Sequence, residues 1–169
     1  MRRAFIVLLT VLGLAAAAQC APTMPGELEL WVNTYDGSAF ITNPTSHAVS
    51  LDGYEIRSGF GSLNPTGWAP FSDEDAVFGV DTWGILSRTS MRLAETTPAQ
   101  VGIVEAGATQ SVGKPYTVDA IGDLEFVYFN WNVTGDTELV GRVEWPTIPE
   151  PATLGLLGLG ALGLIRRRR

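Results

Sequence analysis

Asp123-Leu124-Glu125-Phe126-Val127-Tyr128-Phe129-Asn130-Trp131 holds four bulky apolar or aromatic residues in a row, Phe126 to Phe129. An extended chain sends successive side chains to opposite faces, so this run predicts a strand buried on both sides. Downstream, Thr137 to Trp145 alternates instead, with Leu139, Gly141 and Val143 on one face and Val140, Arg142 and Glu144 on the other. Glu27 to Asn33 has the same half-buried pattern, with Leu28, Leu30 and Val32 on one face. Tyr35-Asp36-Gly37-Ser38 then supplies a hairpin signal, because Asp-Gly tolerates the positive φ of a tight turn. Ser38 to Thr42 is the return strand, ended by Asn43-Pro44.

Further short strands are predicted at Val49 to Leu51 and Tyr54 to Arg57, around an Asp52-Gly53 turn, and at Thr89 to Glu95, Val101 to Glu105 and Ser111 to Val118. The Gly- and Pro-rich stretch Phe60 to Pro70 reads as loop. No part of the body sustains helical periodicity for three turns. Seven or more short strands with frequent turns predict an all-β fold, a single β-sandwich of immunoglobulin-like or jelly-roll-like type. A length of 169 residues suits one such domain.

The body is framed by two segments of different character. Residues 1–21 run from Arg2 and Arg3 through an apolar stretch, Phe5 to Leu14, to the small residues Ala15 to Ala18. This is the build of a secretory signal peptide, with cleavage after Ala18, Cys20 or Ala21. A lipoprotein reading wants a small residue before Cys20, where Gln19 stands. At the other end, Pro149-Glu150-Pro151 stops regular structure, since each proline lacks an N–H and restricts its predecessor. Ala152 to Ile165 follows, 14 residues without a charge, then Arg166, Arg167, Arg168 and Arg169. As a helix the span covers ~21 Å against a hydrocarbon core of about 30 Å, which suits a short or transient transmembrane helix. The arginines act as a cytoplasmic stop-transfer cluster and place the body on the far side. Three regions result: the signal peptide at 1–21, the β domain at 22–147, and the tail at 148–169.

The tail resembles PEP-CTERM protein-sorting signals, which combine a Pro-Glu-Pro motif, a short Gly/Leu-rich span and a closing arginine cluster in that order. The resemblance implies recognition by an exosortase, a membrane-embedded, cysteine transpeptidase-like enzyme that cleaves at or near the tripeptide. It also implies a Gram-negative host that makes exopolysaccharide, and a cell-surface or extracellular-matrix destination. The secretion translocon and signal peptidase are the implied export partners. A simple C-terminal membrane anchor shares this topology and differs only in keeping its tail. Within the body, Phe40-Ile41-Thr42-Asn43 through Val49-Ser50-Leu51-Asp52-Gly53-Tyr54 is faintly similar to the opening of lamin-tail-like domains, which are immunoglobulin-type sandwiches.

Chemistry is sparsely represented. One Cys and one His exclude a disulfide framework and a conventional zinc site. His47 stands in a turn-like stretch, Pro44-Thr45-Ser46-His47, and the chain has no Gly-x-Ser-x-Gly elbow for a serine hydrolase. Residues 22–149 hold 17 Asp and Glu against five Lys and Arg, a net charge of −12, which argues against nucleic acid. Asp73, Asp75 and Asp81 form the densest acidic group and are candidate calcium ligands, though without the EF-hand spacing. Trp68 and Trp83, in or beside loops, are the better candidates for stacking on sugar rings, though packing is the preferred reading for them; Trp31 and Trp131, in predicted strands, are expected in the core or against a sheet face. Asn132-Val133-Thr134 matches a glycosylation acceptor but reads more simply as a turn. A non-catalytic exported protein without a cofactor is therefore expected. The alternatives are a carbohydrate-binding module and a small surface glycosidase.

Overall fold

The computed structural model describes residues 23–145 except 99, 121 and 132–136. The predicted signal peptide, the tail with its predicted short helix, and the Asn132 acceptor all lie outside the described residues. Among the described residues no helix is long and apolar enough to cross a membrane.

The fold is all-β. Its strands are β1 (Thr23–Val32), β2 (Ala39–Thr42), β3 (Val49–Leu51), β4 (Gly53–Ser58), β5 (Gly84–Arg88), β6 (Arg92–Thr96), β7 (Gly102–Val104), β8 (Thr109–Ser111), β9 (Leu124–Phe129) and β10 (Glu138–Glu144). Among the described residues one 3₁₀ turn, Phe71–Asp73, stands between β4 and β5. Eight strands form one sheet in the order β5-β6-β4-β9-β10-β1-β2-β8, and β3 pairs with β7 in a separate ribbon. Leu28, Ile41, Leu51, Ile56, Leu93 and Phe126, drawn from distant parts of the sheet and from the ribbon, are buried in one shared core. The long sheet therefore curls over itself, and the ribbon lies on the same core.

As the run at 126–129 predicts, β9 sits inside the sheet, between β4 and β10. Phe126 and Tyr128 enter the core, and Val127 is buried on the opposite face. The β1–β2 hairpin also forms as the turn signal requires: Gly37 adopts φ 76°, and its N–H donates to Asn33 O at 2.9 Å. Asp52-Gly53 behaves differently. It is not a hairpin turn; it carries the chain from the ribbon strand β3 into β4, and Asp52 N–H donates to Phe129 O at 2.8 Å.

The stretch Phe60 to Pro70, irregular as expected, closes the curl. On one side Asn64 N–H donates to Pro115 O at 2.7 Å and Ala69 N–H to Val112 O at 3.0 Å. On the other, Leu63 N–H donates to Ser90 O at 3.0 Å, near the β5–β6 turn. Asp123 holds the start of this stretch, accepting from Ser58 Oγ, Phe60 N–H and Ser62 Oγ at 2.7–3.0 Å. Desolvation pushes the Asp123 carboxyl up, but the combined hydrogen bonds prevail and hold it below its ordinary value.

Strands β1 and β10 run parallel, with Thr23 opposite Glu138 and Trp31 opposite Glu144. The chain thus joins the sheet at one end and leaves it at the other. A bulge between Pro25 and Glu29 frees backbone N–H groups of β1. The Tyr128 hydroxyl accepts from Glu27 N–H at 2.7 Å and Leu28 N–H at 3.4 Å. The Tyr128 ring passes over Gly26 so closely that a Cβ there would lie 2.5 Å from Cε1. At the exit, Trp145 packs edge-on against Tyr116, with centroids 5.3 Å apart.

Candidate functional site

The structure places the loop tryptophans inside the protein. Trp68 is 2% and Trp83 8% exposed. The Trp68 indole N–H donates to Tyr54 Oη at 3.2 Å, and the Arg88 guanidinium lies over its ring at 5.7 Å. Trp83 donates to Val77 O at 3.3 Å and meets Phe71 edge-on at 5.1 Å. Neither ring presents a face to solvent; both pack inside the protein, the reading preferred for them over sugar stacking. For Trp68 the closing stretch is the physical reason; Trp83, outside that stretch, is covered by Tyr54, Phe71 and the backbone at Gly102. Conversely, Trp31 and Trp131 are 43% and 46% exposed. Trp31 belongs to the β1 face opposite Leu28, Leu30 and Val32, and Trp131 stacks on Phe129 at 5.5 Å beyond the end of β9.

Asp73, Asp75 and Asp81 are all exposed, and among the described residues no three metal-ligating side chains gather as a metal site. His47 Nε2 lies 3.0 Å from Glu27 Oε2, an exposed pair. The sorting residues Pro149, Glu150 and Pro151, and Arg166 to Arg169, lie outside the described residues.

Glu95 was not singled out by the sequence, yet it is 1% exposed and central to the fold. Its Oε2 accepts from Tyr54 Oη at 2.6 Å and Phe71 N–H at 2.8 Å, and its Oε1 accepts from Ser72 N–H at 3.0 Å. Burial, reinforced by the Glu95 charge, pushes the Tyr54 hydroxyl well above its ordinary value. Every strong donor around this carboxylate is fixed by the fold, and its job is to tie the 3₁₀ turn to β6. Period-two alternation would have found it, since Leu93 and Glu95 share the inward face of β6.

The outward face of the sheet carries charge pairs in rows. Glu55 is buried and pairs with Arg57 at 2.7 Å and with Arg92. Arg57 also forms a two-pronged contact with Glu138, at 2.6 and 3.0 Å. The Glu138 hydrogen bonds push the Arg57 guanidinium up, and Arg57 in turn holds the Glu138 carboxyl below its ordinary value. Farther along, Arg142 Nη1 bridges Glu29 Oε1 at 3.0 Å and Glu144 Oε1 at 3.3 Å. Glu29 Oε2 accepts from the Trp31 indole N–H at 3.0 Å.

Beside this row, Trp31 on β1 faces Phe40 on β2, and Glu29 faces Thr42. Thr42 faces Thr109 on β8, with hydroxyls 3.0 Å apart. Glu29, Trp31, Phe40, Thr42, Pro44 and Thr109 line a shallow depression of about 260 Å³. It offers aromatic surface, hydroxyls and a carboxylate, the equipment of a binding surface.

Comparison with known proteins finds a PEP-CTERM protein-sorting motif at residues 147–169. No curated protein and no solved structure matches the chain, so the lamin-tail similarity gains no support. The motif carries its own chemistry: export, C-terminal anchoring in the membrane, and processing by an exosortase.

Proposed function

We propose that this chain is a non-catalytic cell-surface or extracellular-matrix protein, released from its membrane tail by an exosortase at Pro149-Glu150-Pro151 and retained in exopolysaccharide. The sorting motif at 147–169 carries the reading. Three features support it. The uncharged span of 14 residues is short for a permanent anchor. The net −12 of residues 22–149 suits a soluble extracellular cargo rather than a partner of nucleic acid or anionic lipid. The buried carboxylates Glu55 and Glu95 are each held by fixed donors instead of facing a cleft. The translocon delivers the chain, and signal peptidase removes residues 1–21 in a Gram-negative cell.

The test replaces Pro149, Glu150 and Pro151 with alanine in the native host, followed by fractionation. The variant should accumulate at full tail length in the membrane fraction, while the wild type leaves it. Identical partitioning of both, with the tail intact, would defeat the proposal.

A further inference from the structure

We propose that the depression between β1, β2 and β8 is a subsite for one non-acidic pyranose ring of a polysaccharide, with Trp31 and Phe40 as its stacking platform. The inference deepens the surface-protein reading, relying on it only for where polysaccharide would be met.

Two large aromatic residues directly opposed on neighbouring strands, 43% and 38% exposed, leave apolar surface in water beside the Glu29–Arg142–Glu144 ion pairs. Exposed apolar surface rimmed by polar groups marks a binding site. A pyranose is amphipathic in the same way, with C–H groups on its ring faces and hydroxyls round its edge. Ring C–H groups suit Trp31 and Phe40, while the edge hydroxyls need both donors and acceptors. The Thr42 and Thr109 hydroxyls, bonded to each other and Thr42 also to Ala108 O, and the Glu29 carboxylate held by Arg142 supply acceptors at the rim. The shallow site leaves the remaining sugar oxygens to solvent. These groups are already set: Glu29 is 7% exposed, gripped by the Trp31 indole and by Arg142, each at 3.0 Å. Little side-chain ordering is then left to oppose binding.

Charge narrows the ligand. Glu29 and Glu144 share one guanidinium, that of Arg142, so the rim is net negative. A uronate or sulfated sugar is therefore disfavoured, and a neutral or amino sugar is favoured. Topology narrows it further. Strand β1 is paired on both sides, to β10 and β2, and β2 to β1 and β8. The two strands that carry Trp31 and Phe40 therefore offer no open backbone edge to an added peptide strand, one of the ways a sheet captures protein; the terminal strand β8 contributes only Thr109 to the lining. The depression is shallow, so a single ring binds weakly, and a repeating polymer gains retention through many copies.

The experiment titrates the full chain in detergent micelles with cellotetraose, chitotetraose and tetragalacturonate, following the Trp31 indole N–H resonance. Millimolar binding of cellotetraose or chitotetraose should shift that resonance, and tetragalacturonate should bind more weakly. Trp31→Ala and Phe40→Ala should each weaken binding at least tenfold, judged from the remaining shifted amides, and Trp131→Ala should leave it unchanged. The wild-type resonance map keeps the test decisive if a variant fails to fold. No shift with any of the three, undiminished binding in both variants, or preference for tetragalacturonate would overturn the proposal. So would a sugar-insensitive homodimer that Trp31→Ala dissolves. The masses of the processed termini test export independently, so either idea can fail alone.

Discussion

Replacing Glu95 separates a structural carboxylate from a reactive one. In the folded protein it satisfies three donors, the Tyr54 hydroxyl and the Phe71 and Ser72 amides, at 2.6–3.0 Å. Glu95→Leu keeps similar bulk and removes every acceptor. Each buried donor left without one costs ~1–3 kcal/mol, and the Tyr54 hydroxyl and Phe71 amide are buried while Ser72 is exposed, so the loss should reach about 2–6 kcal/mol. That is a large share of the ~5–15 kcal/mol that holds a typical domain together. Glu95→Gln keeps one oxygen. Set at the position shared by Tyr54 and Phe71, it turns its NH₂ toward the Ser72 amide, so about one bond is lost and the cost falls to ~1–3 kcal/mol. Urea titration of the purified protein reads both values. Hydrogen exchange should show protection falling first at Phe71 and Ser72. A Glu95→Leu variant within about 1 kcal/mol of wild type, or unchanged exchange at those two amides, would refute the reasoning.

Other perturbations have equally definite outcomes. Gly26→Ala drives a methyl group into the Tyr128 ring, whose Cε1 would be 2.5 Å away, and pulls its hydroxyl from the bulge amides. Overpacking and lost hydrogen bonding together should cost ~2–4 kcal/mol in urea titration; a neutral substitution would contradict the close approach. Stability should also fall in acid. Asp123 and Glu138 titrate below their ordinary values of 3.8 and 4.5 when folded, so the unfolded chain takes up protons first. Their contribution is complete above those ordinary values and is lost as pH drops through the lowered ones, and Glu138→Gln should flatten that slope in urea titrations from pH 6 to 2. Tyr54 gives the opposite limb: its raised hydroxyl contributes stability up to its ordinary value of 10, lost at higher pH as the unfolded tyrosine ionises first.

The strand framework was legible where residue type and alternation agreed. Phe126 to Phe129 announced an interior strand, and Leu139, Gly141 and Val143 share the inward face predicted for them. Strand β5 went unread because Gly84 to Arg88 is a sheet-edge strand whose side chains are half-buried or exposed, leaving no alternation to detect. The tryptophans are only partly legible for a related reason. Alternation with Leu30 places Trp31 on the outward face, whereas the burial of Trp68 depends on long-range closure between 62–69 and 112–117, and that of Trp83 on Tyr54 and Phe71. No local pattern records that closure. Asp52-Gly53 carried a turn signal, but the partners of β3 and β4 are chosen by the core rather than by the dipeptide between them. Sorting was legible because it resides in linear order, whereas the Trp31–Phe40 depression exists only once three strands are side by side.

The intact mass of the protein recovered from its native host is the most direct test of the sorting account. A mass lacking both residues 1–21 and everything beyond the neighbourhood of Glu150 is the predicted result. Recovery of the full 169-residue chain, with leader and arginine cluster still attached, would contradict it.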